Sequence, residues 1–295
     1  MKTIRKASIV IPTYNRAKYL DLTLQSIKNQ VAEGFDIETI VADDGSTDNT
    51  VEVVRKYEKL FDIKYFFQED IGNRTAAARN LGISNAKGDI IIFVDCGIIL
   101  SSNCISEHVN MHATSSKAVA AVGYVFGFDQ YSPDIDKLIH HVNMHDIDGS
   151  IGQLNFMGLF KDMREKLYKK IDYKINEMPA PWAFFITCNC SVSRTTLDEV
   201  GHFDINLDFN WGVEDLELGY RLWKHGVAFM VCNNAKSIHY PHNDDMSQKF
   251  EEEKVNKHYF HQKYKCLATK FFLDCGFLEL NEKLLTYKSD VSIPL

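Results

Sequence analysis

The chain has 295 residues, 45% of them hydrophobic, and a formal net charge of −7. This length and apolar content suffice for one large α/β domain, or two smaller ones, with a substantial core. The acidic balance argues against a nucleic-acid partner, and no apolar run approaches the roughly 20 residues that span a bilayer. We therefore expect a cytoplasmic protein whose seven scattered cysteines form no disulfide framework.

The first hundred residues alternate short apolar runs with segments of helical spacing. The apolar runs predict strands over residues 8–11, 37–42, 63–67 and 90–94. Such alternation is typical of a largely parallel sheet. The rhythm then changes, and the later chain predicts strands over 118–128, 182–187 and 227–231, a mixed region over 134–174, and helices after 248.

Polar residues follow three of these predicted strands where each strand ends. Thr13 and Tyr14 follow the first, Asp43 and Asp44 follow the second, and Asp95 follows the fourth. Ligands of open α/β sheets bind outside the carboxyl ends of the strands, so we expect these side chains to face one crevice. The alternative is that the acids only shape turns and cap helices. Converging carboxylates would suit a hard cation that bridges the protein to a diphosphate.

Four segments together carry a resemblance to a known family. They are Ile11-Pro12-Thr13-Tyr14-Asn15-Arg16, Val41-Ala42-Asp43-Asp44-Gly45-Ser46-Thr47-Asp48, Arg79-Asn80-Leu81-Gly82 and Phe93-Val94-Asp95. In combination they resemble the inverting family 2 glycosyltransferases of the GT-A fold. The resemblance implies an α/β protein with a Rossmann-like, mostly parallel central sheet flanked by helices, and a nucleotide-sugar donor, usually linked to uridine diphosphate (UDP).

The resemblance also implies which residues bind the nucleotide sugar: Pro12, Thr13, Tyr14, Arg16, Asp43, Asp44, Arg74, Asp95 and Cys96. Elementary chemistry agrees for two of them. The Asp44 carboxylate can accept the imide N–H of uracil, and the Tyr14 ring can stack on the base. Arg74 and Arg79 lie one and a half turns apart on one predicted helix, so we expect only Arg74 to face the nucleotide.

The segment from Asn210 to Arg221 resembles the W-G-x-E-D region of galactosyltransferase-like and chondroitin-polymerase-like enzymes. This resemblance implies that Asp215 is the catalytic base and that Glu214 binds an acceptor hydroxyl, with Trp211 and Gly212 beside the acceptor sugar. Both acids fall in the first turn of a predicted helix, where the dipole alone would explain them and would keep them ionised. Glu217 and Arg221 are predicted to form an ordinary pair on the helix surface.

The same relatives place a metal-ligating histidine near His239, so Asp95 and His239 are the expected ligands of Mn²⁺ or Mg²⁺. His242 competes with His239 for this role. The family motif is usually D-x-D, yet Gly97 stands at its third position here. The requirement for a cation is therefore open.

We divide the chain into a GT-A domain over 1–245 and a C-terminal helical extension over 246–295. Within the domain, 1–117 is the nucleotide-binding half and 118–245 the acceptor-binding half. The expected function is inverting transfer of a hexose or N-acetylhexosamine from a UDP-sugar to an acceptor hydroxyl by single displacement, in glycan or glycoconjugate biosynthesis. The alternative is a non-catalytic nucleotide-sugar-binding or scaffold subunit that has lost the D-x-D carboxylate.

The acceptor class stays open among carbohydrates, lipid-linked sugars and peptides. A basic and aromatic stretch over 254–270 would allow peripheral contact with a membrane. The C-terminal helices are expected to pack on the domain or on another subunit, which would make a homo-oligomer.

Overall fold

The computed structural model describes residues 2–129, 132–242 and 246–290. Eight strands form one sheet in the spatial order β3-β2-β1-β4-β7-β6-β8-β5. Their bounds are β1 Lys6–Thr13, β2 Asp36–Asp43, β3 Ile63–Phe67, β4 Ile90–Val94, β5 Ile98–Leu100, β6 Val119–Phe126, β7 Asn189–Ser193 and β8 Ala228–His239.

Helices cover both faces of this sheet. They are α1 Ala17–Lys28, α2 Thr50–Tyr57, α3 Thr75–Asn85, α4 Cys104–Thr114, α5 Ile147–Met157, α6 Glu165–Lys170, α7 Arg194–Val200, α8 Glu214–Lys224, α9 Met246–Tyr264, α10 Leu267–Phe272 and α11 Phe277–Asp290. Short 3₁₀ helices lie at Ile135–His141, Ile175–Glu177, Pro181–Phe184 and Ile205–Leu207.

The four N-terminal strands pair in parallel, as the βα rhythm predicts. β1 lies between β2 and β4, and β2 pairs with β3. The register sets Thr13 opposite Asp43, and Asp43 opposite Phe67, so the carboxyl ends of three strands meet at one edge. β7 then joins β4 in the antiparallel sense, and the rest of the sheet mixes both senses.

Strands β1, β4, β5 and β6 are buried almost throughout, because most of their residues are apolar. All five residues of β4 are buried, which is typical of a strand covered by helices on both faces. One apolar cluster includes Val10, Phe93 and Trp182, and a second on the opposite face includes Ile9 and Ile92. Alternate residues of the same strands therefore feed two separate layers of core.

The strand predicted over 182–187 is wrong. The backbone forms a 3₁₀ helix at Pro181–Phe184, and the strand comes later, at Asn189–Ser193. Trp182 and Phe184 are fully buried, so their apolar run reports burial rather than strand geometry. The three-residue strand β5 was not predicted, and β8 continues to His239, well beyond the predicted 227–231.

The C-terminal helices pack on their own domain. Phe260, Phe272, Leu280 and Leu284 belong to the same apolar cluster as Phe93 of β4. The aromatic rings of Phe260 and Phe272 therefore point into the protein and are unavailable to a membrane. Within the described ranges, no helix combines the length and the apolar character that crossing a membrane requires. The seven cysteines are free thiols, and all except Cys266 are buried.

Candidate active site

The turns that follow β1 and β2 interlock at the carboxyl edge of the sheet. The Asn15 N–H donates to Ser46 Oγ at 2.7 Å, and the Thr47 N–H donates to Asn15 Oδ1 at 2.8 Å. Asp48 accepts the N–H of Ala17 at 2.9 Å, at the start of α1. These bonds satisfy backbone donors that no helix partner reaches, and they fix the two motif segments against each other.

Asp44 lies at the bottom of this edge. Its carboxylate accepts hydrogen bonds from Gln68 Nε2 at 2.6 Å and from the backbone N–H of Arg74 at 2.7 Å. The Nε atom of the Arg74 side chain lies 3.5 Å from Asp44 Oδ1. Burial raises the pKa of Asp44, although Gln68 and Arg74 oppose the shift. The Tyr14 ring beside it is 46% exposed, and its hydroxyl donates to Asp70 Oδ2 at 2.8 Å. An aromatic face is therefore open next to a buried carboxylate.

Two of the residues predicted to contact the nucleotide are enclosed by the surrounding turns. Asp43 is fully buried, and its carboxylate accepts bonds from the Ser46 N–H at 2.8 Å and the Tyr65 hydroxyl at 2.6 Å. Cys96 is 7% exposed, and its thiol donates to the Arg16 carbonyl at 3.6 Å. Both side chains bond within the turns, and their contact with the nucleotide stays a prediction.

The other predicted donor-side residues lie at the edge itself. Pro12 and Thr13 end β1, with Pro12 half-buried and Thr13 buried. Arg16 is half-buried at the start of α1, where its carbonyl accepts the Leu20 N–H. Arg74 immediately precedes α3 and lies beside Asp44, and its contact with the nucleotide stays a prediction.

Arg79 joins the two halves of the site. Its Nη1 atom donates to Glu214 Oε1 at 2.7 Å, and its Nη2 atom donates to Asp95 Oδ1 at 2.9 Å. Arg79 is 4% exposed; burial opposes its charge, yet the two carboxylates outweigh burial and raise its pKa. The prediction that only Arg74 faces the nucleotide misses this role, because the partners of Arg79 are Asp95 and the sequence-distant Glu214.

Asp215 lies next to this cluster, at the first turn of α8. Its carboxylate accepts the Leu216 N–H at 2.8 Å and the Thr187 N–H at 3.4 Å. Burial raises the pKa of Asp215 to about 8, with the Glu214 carboxylate adding to the shift and Arg79 opposing it. Burial and the neighbouring Glu214 carboxylate therefore oppose the ionised form of Asp215 that the helix dipole favours.

The Glu217 and Arg221 pair is also different from its prediction. Glu217 is fully buried, and it accepts bonds from Arg221 Nη2 and Lys263 Nζ, both at 2.8 Å. Arg221 also donates to the carbonyl of Gly201 at 2.7 Å. The pair is therefore an internal connection between α8, α9 and the segment after α7.

Trp211 stands at the rim of the site. It is half-buried, and its backbone N–H donates to Glu252 Oε2 at 3.0 Å. The Lys249 ammonium lies 5.1 Å from the centroid of the Trp211 ring. Gly212 follows with a φ of +83°, a left-handed conformation that glycine adopts at little cost. These two residues therefore turn the chain into α8.

The residues expected to hold a metal lie around the turn that follows β4. β5 sets His239 opposite Ile98, and the rings of His239 and His242 have centroids 5.2 Å apart. Gly97, at the position of the second aspartate of D-x-D, has a φ of +99°, a left-handed conformation that glycine adopts at little cost. The described ranges contain no group of three or more His, Cys, Asp or Glu side chains arranged to hold a cation.

Three further polar residues at this edge were not predicted. Gln68 and Asp70 follow β3, so the same rule of strand ends that selects Asp44 would have found them. Asp208 accepts the N–H groups of Ala76 at 2.8 Å and Ala77 at 3.2 Å, at the start of α3. No local signal identifies Asp208, because its partners lie more than 130 residues away in sequence.

The sheet and the site at its carboxyl edge define a GT-A glycosyltransferase fold. The model of "Glycosyl transferase family 2" matches residues 8–200, and the model "N-terminal domain of galactosyltransferase" matches residues 169–243. The chain belongs to glycosyl transferase family 2. The second match contains the segment from Asn210 to Arg221.

Named relatives agree with this family. The chain is 35% identical over 267 residues to validoxylamine A glucosyltransferase of Streptomyces hygroscopicus subsp. jinggangensis, and the match covers 90% of this chain and 62% of the relative. The chain thus spans about three fifths of the length of its first curated relatives.

Two solved structures share the fold, each with a TM-score of 0.62. One is the mannosyltransferase PcManGT from Pyrobaculum calidifontis in complex with GDP-Man and Mn²⁺, at 14% identity, covering 99% of this chain and 77% of that one. The other is Staphylococcus aureus TarS 1–349 in complex with UDP-GlcNAc, at 16% identity, covering 98% and 76%.

Proposed function

We propose that this protein transfers a hexose or N-acetylhexosamine from a UDP-sugar to an acceptor hydroxyl with inversion at the anomeric carbon. The observation that carries this proposal is the guanidinium of Arg79, which bonds Asp95 on the donor side and Glu214 on the acceptor side. One buried guanidinium thereby links the carboxylates proposed for the donor side and the acceptor side.

The donor would bind at the edge formed by β1, β2 and β4. Tyr14 offers a half-exposed ring for stacking on uracil, and Asp44 offers oxygens to the imide N–H. Asp95 and His239 would hold Mn²⁺ or Mg²⁺ together with the diphosphate. A bound cation would neutralise the charge of the leaving diphosphate.

The acceptor would bind between Trp211 and the start of α8. Glu214, held by Arg79, would accept a hydrogen bond from an acceptor hydroxyl, and Trp211 would stack on its sugar ring. Asp215 would take the proton of the attacking hydroxyl, which requires its ionised form. Its raised pKa makes it a stronger base than an ordinary aspartate.

Thermal stabilisation tests the donor site. A ligand that binds only the folded state raises the midpoint of thermal unfolding. We would therefore measure this midpoint with UDP, UDP-glucose, UDP-galactose and the two UDP-N-acetylhexosamines, each with and without Mn²⁺. Stabilisation that needs Mn²⁺ and disappears in Asp95→Ala supports the proposal. The absence of a shift with every uridine nucleotide would contradict it and favour a scaffold subunit.

Transfer itself is tested by release of UDP and by the anomeric configuration of the product. Validoxylamine A is a reasonable first acceptor and UDP-glucose a first donor, because a relative carries that name. Asp215→Asn should abolish transfer and retain the shift with UDP. Asp198→Asn, a change on α7 at a side chain that is 55% exposed, is the matched control and should retain both.

A further inference from the structure

The backbone immediately before Glu214 and Asp215 is strained. We call residues 207–213 the acceptor loop. Phe209 and Val213 within it have φ values of +69° and +79°. A β-branched residue at positive φ is a genuine outlier, and such strain persists only where the surrounding structure imposes it. Some other element must therefore hold this loop in place.

The side chain of Asn256 in helix α9 holds the acceptor loop in this conformation. Its side chain is buried, and its Nδ2 atom donates to the carbonyls of Leu207 at 3.0 Å, Asn210 at 3.4 Å and Gly212 at 2.8 Å. An amide nitrogen has only two hydrogens, so three nearby carbonyls use its full donor capacity. One side chain thus fastens the acceptor loop at its beginning, middle and end.

Two neighbours on the same face of α9 contact Trp211 of the loop. Glu252 accepts a hydrogen bond from the backbone N–H of Trp211 at 3.0 Å, and the Lys249 ammonium lies 5.1 Å from the centroid of the Trp211 ring. Positions 249, 252 and 256 follow the three- and four-residue spacing of one helix face. This face of α9 is therefore directed at the acceptor loop.

Helix α9 is also attached to the domain by contacts that do not involve the acceptor loop. Lys263 Nζ donates to Asp204 Oδ2 at 2.7 Å and to Glu217 Oε1 at 2.8 Å, and Phe260 is fully buried. Loss of Asn256 would therefore leave α9 in place and release only the loop.

We propose that α9, through Asn256, is a positioning element of the active site: it fixes the strained acceptor loop and thereby the orientation of Glu214 and Asp215. This inference rests on the proposed function for its catalytic consequence. It gives the C-terminal extension a role within the site of its own chain. Asn256 acts through the loop backbone and touches neither donor nor acceptor.

The test compares Asn256→Ala with Asn281→Ala in the full chain. Asn281 is an equally buried asparagine, and its amide holds the N–H and carbonyl of Ala180 instead of the acceptor loop. We would measure hydrogen exchange of peptides from 205–217, the affinity for UDP with Mn²⁺, and the rate at which UDP-glucose with Mn²⁺ is consumed, with water as acceptor. Thermal midpoints of both variants show whether each one folds.

Asn256→Ala should speed hydrogen exchange of peptides from 205–217 and leave the affinity for UDP within about twofold of the wild type. It should slow UDP-glucose consumption roughly tenfold or more, because a misplacement of reacting groups by about 1 Å lowers the rate by up to a hundredfold. Asn281→Ala should leave exchange in 205–217 and consumption unchanged. Glu252→Ala, at a half-buried position, should change hydrogen exchange and UDP-glucose consumption in the same direction as Asn256→Ala, but by less.

Unchanged exchange in Asn256→Ala would overturn the proposal, as would equal loss of consumption in the two asparagine variants. If the wild type neither binds UDP nor consumes a UDP-sugar, the proposed function fails separately. Hydrogen exchange then still decides whether α9 holds the loop, because that measurement needs no substrate.

Discussion

Replacing Arg79 with methionine would remove the cation that joins the two halves of the site. Methionine keeps an unbranched side chain of similar length, so the change mainly removes charge and hydrogen bonds. Glu214 and Asp95 would then each lose a charged partner, at 2.7 Å and 2.9 Å respectively. We expect a folded but less stable protein without transfer activity.

The size of the effect follows from the burial of the two carboxylates. The Glu214 side chain is 11% exposed and the Asp95 side chain 34%, so solvent screens the bond to Asp95 more strongly. Removing one partner of a buried ion pair costs about 3–5 kcal/mol. A domain of this size loses about 2–3 °C per kcal/mol, so the midpoint should fall by roughly 6–15 °C.

Urea unfolding of Arg79→Met, Glu214→Gln and the double variant gives the interaction energy. The double variant should recover part of the loss, because the neutral amide that replaces the Glu214 carboxylate needs no cation. Arg194→Met is the control, since the Arg194 guanidinium donates to the Gly88 carbonyl at 3.0 Å, and it should cost about 1 kcal/mol. Strictly additive costs of the two single changes would refute the reasoning.

Two further predictions concern pH. Asp215 must be ionised to act as a base, and its pKa is raised to about 8. We therefore expect kcat/KM to fall about tenfold for each pH unit below pH 8. A kcat/KM that stays constant down to about pH 5 would contradict this prediction. Burial alone would raise the pKa of Glu38, but hydrogen bonds from Lys64, Ser8 and Lys87 outweigh burial and lower this pKa to about 2. The ionised Glu38 therefore stabilises the folded protein fully above pH 4.5, and this stabilisation is lost as the pH falls toward 2. Glu38→Gln should reduce that acid-induced loss of unfolding free energy by about 1–3 kcal/mol, and parallel curves for the two proteins would argue against it.

The donor side of the site was predictable because its signals are local. Apolar runs mark β1, β2 and β4, and parallel strands place their carboxyl ends at one edge. Tyr14, Asp44 and Asp95 each follow such a run directly, and the structure brings all three to that edge. The same rule applied to β3 would have added Gln68 and Asp70.

The acceptor side was less predictable because its contacts are distant in sequence. Arg79 and Glu214 are 135 residues apart, and the motif that contains Arg79 gives no indication of its partner. The apolar run at Trp182 predicts a strand wrongly because burial alone does not distinguish a strand from a buried helical turn. The raised pKa of Asp215 depends on burial, which is a property of the assembled fold.

The acceptor loop shows how these distant segments depend on one another. Asp208 attaches the loop to the start of α3, and Asn256 attaches it to α9. Arg79, also on α3, bonds Glu214 at the start of α8. A chain that ended at residue 245 would keep every motif quoted above, yet it would lose the bonds that hold the strained residues before Asp215. The division at 245 stays a prediction, but the contacts of Asn256 argue that the catalytic unit extends through α9.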